Sequence, residues 1–466
     1  MPPDLFSPAQ REAAERILAS VPDWARIYTV AEAEERTRAL QSRYGRDVAV
    51  ETIGRSRQGR SIEALTVGSG PMTVLLLGFP HPDEGVGGLL IDHVLNTALA
   101  HPEVLRPFGA RVVAVRCWDI DGAALNEGWS PGTSSIEEQA KHHFRPPPAM
   151  QMEWTFPVEY KSHRWSKVPP ETEAVRLLID RERPHFMLGL HNAAFHDPYF
   201  YLSREAPEAY GALGAAVDAE RLHLSERSPD VPFEVPLARG IFRMYGLRDY
   251  YDYFERFAPH RLPHLNRGAC SDEYLASTVP HAFSFNAEVP RALDRRLRDA
   301  SPTSRPLREV VLQRTTKQAA EMKRLDDEMA PVLDRNGTGA SLVAESVRQH
   351  LEEFRTRAKE PSSDVAKDPQ YDRSATVSDL FEHEVVGPLE DLLVLGEAWR
   401  AACEYARGGD GAARRVEKAL SARITGQAAV LRTKSKFEPV PLKRSAGVQL
   451  RALLALMAWR VNVMGV

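Results

Sequence analysis

The stretch Leu75-Leu76-Leu77-Gly78-Phe79-Pro80-His81-Pro82-Asp83-Glu84-Gly85 decides how the rest of the chain is read. An apolar run that stops at Gly-Phe-Pro reads as a buried strand reaching the edge of a sheet. A His and a Glu then come three positions apart. One turn of chain can aim an imidazole and a carboxylate at the same point, and that pair suits a zinc ion. Alone the pair says little. His-x-x-Glu arises by chance in many soluble chains, and a lone His81 is more often a capping or hydrogen-bonded residue. The pair gains weight only if the chain supplies a third ligand and a base further along.

Outward from this stretch, strands alternate with helices. Residues 48–53 and 61–67 read as a strand pair joined by Gly54-Arg55-Ser56-Arg57-Gln58-Gly59-Arg60. Residues 72–79, 111–118, 185–190 and 282–289 read as buried strands, and 7–19, 31–44 and 85–99 as helices. Such alternation implies an α/β protein of three layers, α/β/α, around a mixed, mostly parallel twisted sheet. Beyond about residue 295 strand signals stop. Residues 301–329, 339–358, 377–405 and 411–431 read as helices, with a polar, proline-punctuated connector at 359–373. The expected organisation is a catalytic α/β domain over residues 1–310 and a helical C-terminal region over 311–466. Leu450, Leu453, Leu454, Met457 and Val461 share one face of the last helix. Core packing is the favoured reading of that face, and homodimer contact and a lid over the cleft are the alternatives.

Bulk properties narrow the function. The 466 residues suffice for two or three domains, and 43% hydrophobic with 27% charged residues is ordinary for a soluble globular chain. A net charge of −4 argues against nucleic acid and against a polybasic membrane anchor as partners. The three cysteines, Cys117, Cys270 and Cys403, are far apart and form no C-x-x-C, so neither a disulfide framework nor a cysteine zinc site is expected. No secretory signal is visible in residues 1–10, and the apolar stretch 448–466 carries Gln449, Arg451, Arg460 and Asn462, too polar to span a bilayer. A reducing, cytoplasmic setting is the expectation.

A zinc site that keeps one position for water needs a third ligand and a general base. His191 fits the first need. The apolar run 185–190 ends in His191-Asn192, and the intervening length is ample to bring it back beside His81 and Glu84. Glu288 fits the second. It closes Phe283-Ser284-Phe285-Asn286-Ala287-Glu288, and a charge within an apolar run is costly unless paired or functional. Singly, an ion pair with a neighbouring Arg at the sheet edge explains Glu288 better. Other features carry no chemistry on this reading. Adjacent His142 and His143 point in different directions, Glu382-His383-Glu384 lacks a second His at helical spacing, and for the aromatic run Tyr245, Tyr250, Tyr251, Tyr253 packing is favoured over lining the cleft.

Together these elements resemble the zinc carboxypeptidase family, the peptidases of the carboxypeptidase A type, over residues 48–290. Gly54 to Ile62 is similar to the family's "GxSxxGRxI" turn. His81-Pro82-Asp83-Glu84 resembles its first zinc motif and His191 its second. Asp119-Ile120-Asp121-Gly122 resembles its "NPDG" loop, Pro170-Glu171-Thr172-Glu173-Ala174 its "PET-A" helix start, and Glu288-Val289 its catalytic Glu. The resemblance implies that His81, Glu84 and His191 hold one zinc ion and that Glu288 deprotonates water and returns the proton to the leaving amine. It implies Arg145 as the residue that steadies the oxyanion, and Arg164 beside His163 as the fork for a substrate carboxylate. The implied activity is hydrolysis of an amide bond in a small peptide or peptide-like metabolite bearing a carboxylate.

The sequence also departs from that family. Its Asn beside the carboxylate-binding Arg is His163 here. Its mobile Tyr has no counterpart in Pro263-His264-Leu265-Asn266-Arg267-Gly268. Cys270, Ser271 and Asp272 fall where it lines a side-chain pocket. These departures keep two alternatives open. One is an N-acyl amino acid deacylase of the succinylglutamate desuccinylase and aspartoacylase type. The other is a non-catalytic metal-binding scaffold whose helical region recruits a partner, against which the retained Glu288 argues.

Overall fold

The computed structural model describes residues 5–129, 134–193, 195–226, 230–333, 340–357 and 363–465. The ends at 339 and 358 of one expected helix, and residues 359–362 of the expected connector, lie outside them. Nine strands form the main sheet: β1 (Ala49–Arg55), β2 (Ser61–Val67), β3 (Met72–Leu77), β4 (Ala110–Val115), β5 (Phe186–Gly189), β6 (Tyr199–Leu202), β7 (Pro236–Ala238), β8 (Ile241–Arg243) and β9 (Phe283–Glu288). Their order across the sheet is β1-β2-β4-β3-β5-β9-β6-β8-β7. The four central strands β4, β3, β5 and β9 run parallel, and antiparallel pairings join β2 and β6 to this centre. The protein is therefore α/β with a mixed sheet and a parallel core.

The apolar run of β3 has a simple cause. Both faces of the central sheet are covered, so every residue of β3 is buried. Val74 and Leu76 face one core, with the helices Val86–Ala100, Pro207–Ala219 and Leu442–Trp459. Leu75 and Leu77, on the opposite pleat, face the other core with Pro170–Glu182. Ser7 caps the first helix through the Gln10 N–H, which is why the chain becomes helical at Pro8.

A further core lies among Leu307–Leu333, Leu342–Arg357, Gly387–Arg407 and Gly411–Lys434. It is not isolated from the sheet-bearing part. The short helix Ile136–His142 crosses Gly387–Arg407 at Gly396, where an added Cβ would lie 1.7 Å from the Ala140 carbonyl oxygen, so only glycine permits the contact. The last helix, Leu442–Trp459, packs in the core of the main sheet, with Leu450, Leu453, Leu454 and Met457 buried and Val461 partly buried against it. The structure departs from the expected pattern after residue 295, where the connector also holds a short helix, Ser363–Lys367, and Glu438–Pro439 pairs with Ala292–Leu293. Residues 302–306 are a strand, paired with Ser374–Thr376, before the helix begins at Leu307. The expected helix 377–405 is interrupted by a π-helical turn over Glu382–Val386. Among the described residues no helix is long and apolar enough to cross a membrane, and the three cysteines are free.

Candidate metal centre

β3, β5 and β9 are neighbours, so their carboxyl ends open onto one place, where ligands bind in sheets of this kind. Beyond β3 the chain turns through Phe79, whose φ of 51° is left-handed backbone rarely adopted by a bulky residue. A turn with the Glu84 N–H donating to the His81 carbonyl at 3.1 Å then sets both side chains on one side. His191 comes just after β5, and Glu288 ends β9. His81, Glu84 and His191 are all buried and offer one ligand atom each, these atoms lying within 4.8 Å of one another. Glu288 Oε1 lies 3.7 Å from His191 Nδ1.

Glu153, which the sequence did not single out, organises this group. Its Oε2 lies 3.1 Å from His81 Nε2 and its Oε1 3.1 Å from His191 Nε2. One carboxylate therefore takes the outward nitrogen of both imidazoles and fixes both Nε2–H tautomers. Both Nδ1 atoms are left for the interior. His81 Nδ1 is buried with no hydrogen-bond partner, and His191 Nδ1 lies 3.0 Å from Glu84 Oε2. Two imidazole nitrogens and a carboxylate oxygen are a donor set for zinc with an open position.

Charge points the same way. Among the described residues Arg145 pairs with Asp83 and Glu84 and Arg291 with Asp83, while Glu153 faces the imidazoles of His81 and His191, so the buried carboxylates Asp83, Glu84 and Glu153 outnumber the two guanidiniums paired among them. Burial favours the neutral acid of Glu84, yet Arg145 and His81 prevail and hold it at about 2. Burial pushes Glu288 well above the carboxylate range, with Glu84, Asp230 and Glu153 adding to it and His191 opposing. Burial also opposes charge on His191, but Glu153 and Glu288 raise it well above its ordinary value. A divalent cation seated between the Nδ1 atoms would replace the proton that His191 otherwise carries there.

Arg145 reaches this centre but is not free in it. Its Nη1 donates to Asp83 at 2.9 Å and to Glu84 at 2.5 Å, and its backbone N–H donates to Glu397 at 2.8 Å. Arg291 and His143 complete the pairing of Asp83 at 3.0 and 3.2 Å. A cavity of about 570 Å³ opens over the site, and its walls include Arg145, Trp154, Tyr245, Arg267, Asp272 and Glu288.

Arg164 and His163 are not on that wall, contrary to the expectation that they meet the substrate. They lie on a small hairpin, Val158–Tyr160 with His163–Trp165. Side chains alternate along a strand, so the turning of Trp165 into the core sends Arg164 outward. The Arg164 side chain is 78% exposed, with Glu159 at 3.8 Å. His163 Nε2 lies 2.9 Å from the Arg267 carbonyl oxygen instead. Cys270 and Asp272 line the cavity and Ser271 does not. The "NPDG"-like and "GxSxxGR"-like loops brace each other away from it. Asp121 accepts from the Ser56 hydroxyl at 2.8 Å, the Gln58 N–H at 2.9 Å and Arg60 at 2.6 Å.

No protein-family model matches this chain, and no curated protein matches it. Solved structures match in part, and the similarity is to metallo-carboxypeptidases. The metallo-carboxypeptidase from Burkholderia cenocepacia is 16% identical, with a TM-score of 0.37 over 57% of this chain and 60% of its own. The carboxypeptidase A from Helicoverpa armigera is 14% identical, with a TM-score of 0.39 over 60% of this chain and 71% of its own. The metallo-carboxypeptidase from Pseudomonas aeruginosa is 17% identical, with a TM-score of 0.32 over 55% of this chain and 59% of its own. The chain thus spans about three-fifths of the Burkholderia and Pseudomonas proteins.

Proposed function

We propose that this chain is a zinc-dependent hydrolase, of the carboxypeptidase type, that cleaves an amide bond in a small peptide or peptide-like metabolite in the cytoplasm. The observation that carries the reading is the convergence of His81, Glu84 and His191 within 4.8 Å, with Glu288 beside them on the adjacent strand end. The cavity of about 570 Å³ suits a small molecule or the end of a peptide.

Zinc bound by His81 Nδ1, Glu84 and His191 Nδ1 supplies a Lewis acid that acidifies water and polarises a carbonyl. Glu288 receives the proton of the attacking water on Oε1 and passes it to the leaving nitrogen. It must be ionised to begin; burial favours its neutral acid, and a divalent charge held by the neighbouring ligands would oppose that burial in place of the His191 proton. Glu153 keeps both imidazoles in the ligating tautomer. Arg145 first orients Glu84, because both are already bonded to each other. The Arg145 guanidinium is a donor for a developing oxyanion only when a substrate draws it from that bond.

The test is metal analysis of the purified chain together with hydrolysis of N-acylated dipeptides before and after chelation. Zinc at one per chain, loss of turnover on chelation and recovery on zinc addition are expected. Glu288→Gln is expected to keep its zinc and lose about 10²- to 10⁴-fold in kcat. Hydrolysis that survives chelation, or near-normal turnover by Glu288→Gln, ends this reading.

A further inference from the structure

All but one of the guanidiniums on the cavity wall are neutralised. Arg145 pairs with Asp83 and Glu84, and Arg291 with Asp83. Arg267 is the exception. Its guanidinium lies 4.3 Å from the ring centre of Tyr250 and 5.2 Å from that of Trp154, and no carboxylate pairs with it among the described residues. Buried or half-buried arginines are normally paired, and a stacked guanidinium without an acid keeps its donors available.

The position of Arg267 is also fixed. The Gly268 N–H donates to the Trp154 carbonyl at 2.7 Å, and Phe156 and Ala269 exchange backbone bonds at 3.2 and 3.0 Å. His163 Nε2 meets the Arg267 carbonyl oxygen at 2.9 Å. Trp154, against which the guanidinium lies, comes directly after Glu153, whose carboxylate holds the two histidines among the candidate zinc ligands.

We infer that Arg267, held against the rings of Trp154 and Tyr250, is the anchor for a carboxylate of the substrate. This deepens the hydrolase reading of the same cavity, and it gives Arg267 the task that the motif resemblance gave to Arg164. A monoanion fits better than a phosphate. The same wall carries Glu153, Asp230, Asp272, Glu382 and Glu390, and a second negative charge on the ligand would meet them. A planar carboxylate can take two parallel N–H bonds from one guanidinium while its bearer lies against the aromatic rings.

The experiment uses the full-length, zinc-loaded Glu288→Gln chain, so that ligand is not consumed. Binding of N-acetylglycyl-alanine and of its C-terminal amide is measured by calorimetry. The acid is expected to bind about 10- to 100-fold tighter than the amide. Arg267→Gln is expected to abolish that preference while leaving zinc content unchanged, and Arg267→Lys to retain part of it. Preference surviving in Arg267→Gln overturns the inference, as does equal binding, or no binding, of both ligands by the parent at millimolar concentration. The two readings separate cleanly. A Glu288-containing chain that hydrolyses no amide, alongside a preference that depends on Arg267, removes the hydrolase reading and leaves the anchor. Hydrolysis without a preference does the reverse.

Discussion

Replacing Glu153 by Gln exchanges one oxygen for an NH₂ group at almost constant volume, yet both oxygens are in use. Each accepts from one imidazole Nε2–H at 3.1 Å. The amide oxygen can serve one ring. The NH₂ group then faces the other ring's N–H, donor against donor, and that imidazole gains by moving its proton to Nδ1. A ring protonated at Nδ1 cannot ligate there. Removing an outer carboxylate partner of this kind weakens metal affinity by about 10- to 100-fold, or about 1.4–2.7 kcal/mol. The informative comparison is with Glu153→Ala. If Glu153 only filled space, the near-isosteric Gln would be silent and Ala harmful. If it fixes tautomers, Gln costs nearly as much zinc affinity as Ala. Competition against a chromophoric chelator on the full-length chain measures both. Zinc affinity of Glu153→Gln within twofold of the parent, with Ala far weaker, would refute the orienting role.

Two expectations concern residues away from the centre. Arg164→Ala should change unfolding free energy by no more than about 0.5 kcal/mol and hydrolysis by less than about twofold, since an exposed charge with one distant partner contributes little. A tenfold fall in kcat/KM would return Arg164 to the substrate. Asp119 is raised to about 7, chiefly by burial and further by Glu171 and Asp121, against Arg57 and the Gly122 N–H. The folded chain then holds a proton that the unfolded chain releases near its ordinary 3.8, so the stability from this group is present below about 4 and lost as pH rises through about 7. Three units correspond to at most about 4 kcal/mol. Asp119→Asn keeps an oxygen for the Gly122 N–H, now 2.9 Å from Oδ1, so it should flatten the fall in denaturant midpoint between pH 5 and pH 8. An unchanged slope would show that another group carries it.

The parts of this protein legible in its sequence are those governed by local pattern. β3, β5 and β9 are buried on both faces, which makes β3 and β5 nearly continuous apolar runs and leaves β9 an apolar strand with polar residues at alternate positions, all three with visible ends. His81, Glu84, His191 and Glu288 stand at those ends, so the sheet's own geometry collects them. Glu153 lies in a short 3-10 turn, Met152–Trp154, with no period to mark it. Its one hint is a lone acid between Met152 and Trp154, an apolar setting in which a carboxylate needs a partner. Arg267 sits in a loop whose place is set by bonds to residues 154–163, far away in sequence. Arg164 departs from expectation for a different reason. The motif around it reads as a unit, whereas the two-residue alternation of its hairpin separates Arg164 from the buried Trp165. The strand at 302–306 is short and largely exposed, with a polar pattern that carries no apolar signal.

The helical region beyond residue 310 has a more direct bearing on the centre than its lack of motifs implies. Gln449, fully buried on the last helix, donates from Nε2 to the His191 carbonyl at 2.8 Å and to the Ala287 carbonyl at 3.1 Å. Those two oxygens lie just past β5 and next to the end of β9, where the strand ladder stops supplying donors. Left without a partner, each buried carbonyl would cost about 1–3 kcal/mol. One amide group therefore ties together the backbone segments that carry a candidate ligand and the candidate base. Glu397 does the same on the opposite wall, taking the Arg145 N–H at 2.8 Å and the Ser346 hydroxyl at 2.7 Å. His350, Glu390, Leu393 and Val394 complete that wall. A cavity whose floor comes from strand ends and whose wall comes from later helices is assembled only when both have folded. The spacing between His191 and Glu288 thus depends on residues more than 150 positions downstream of Glu288.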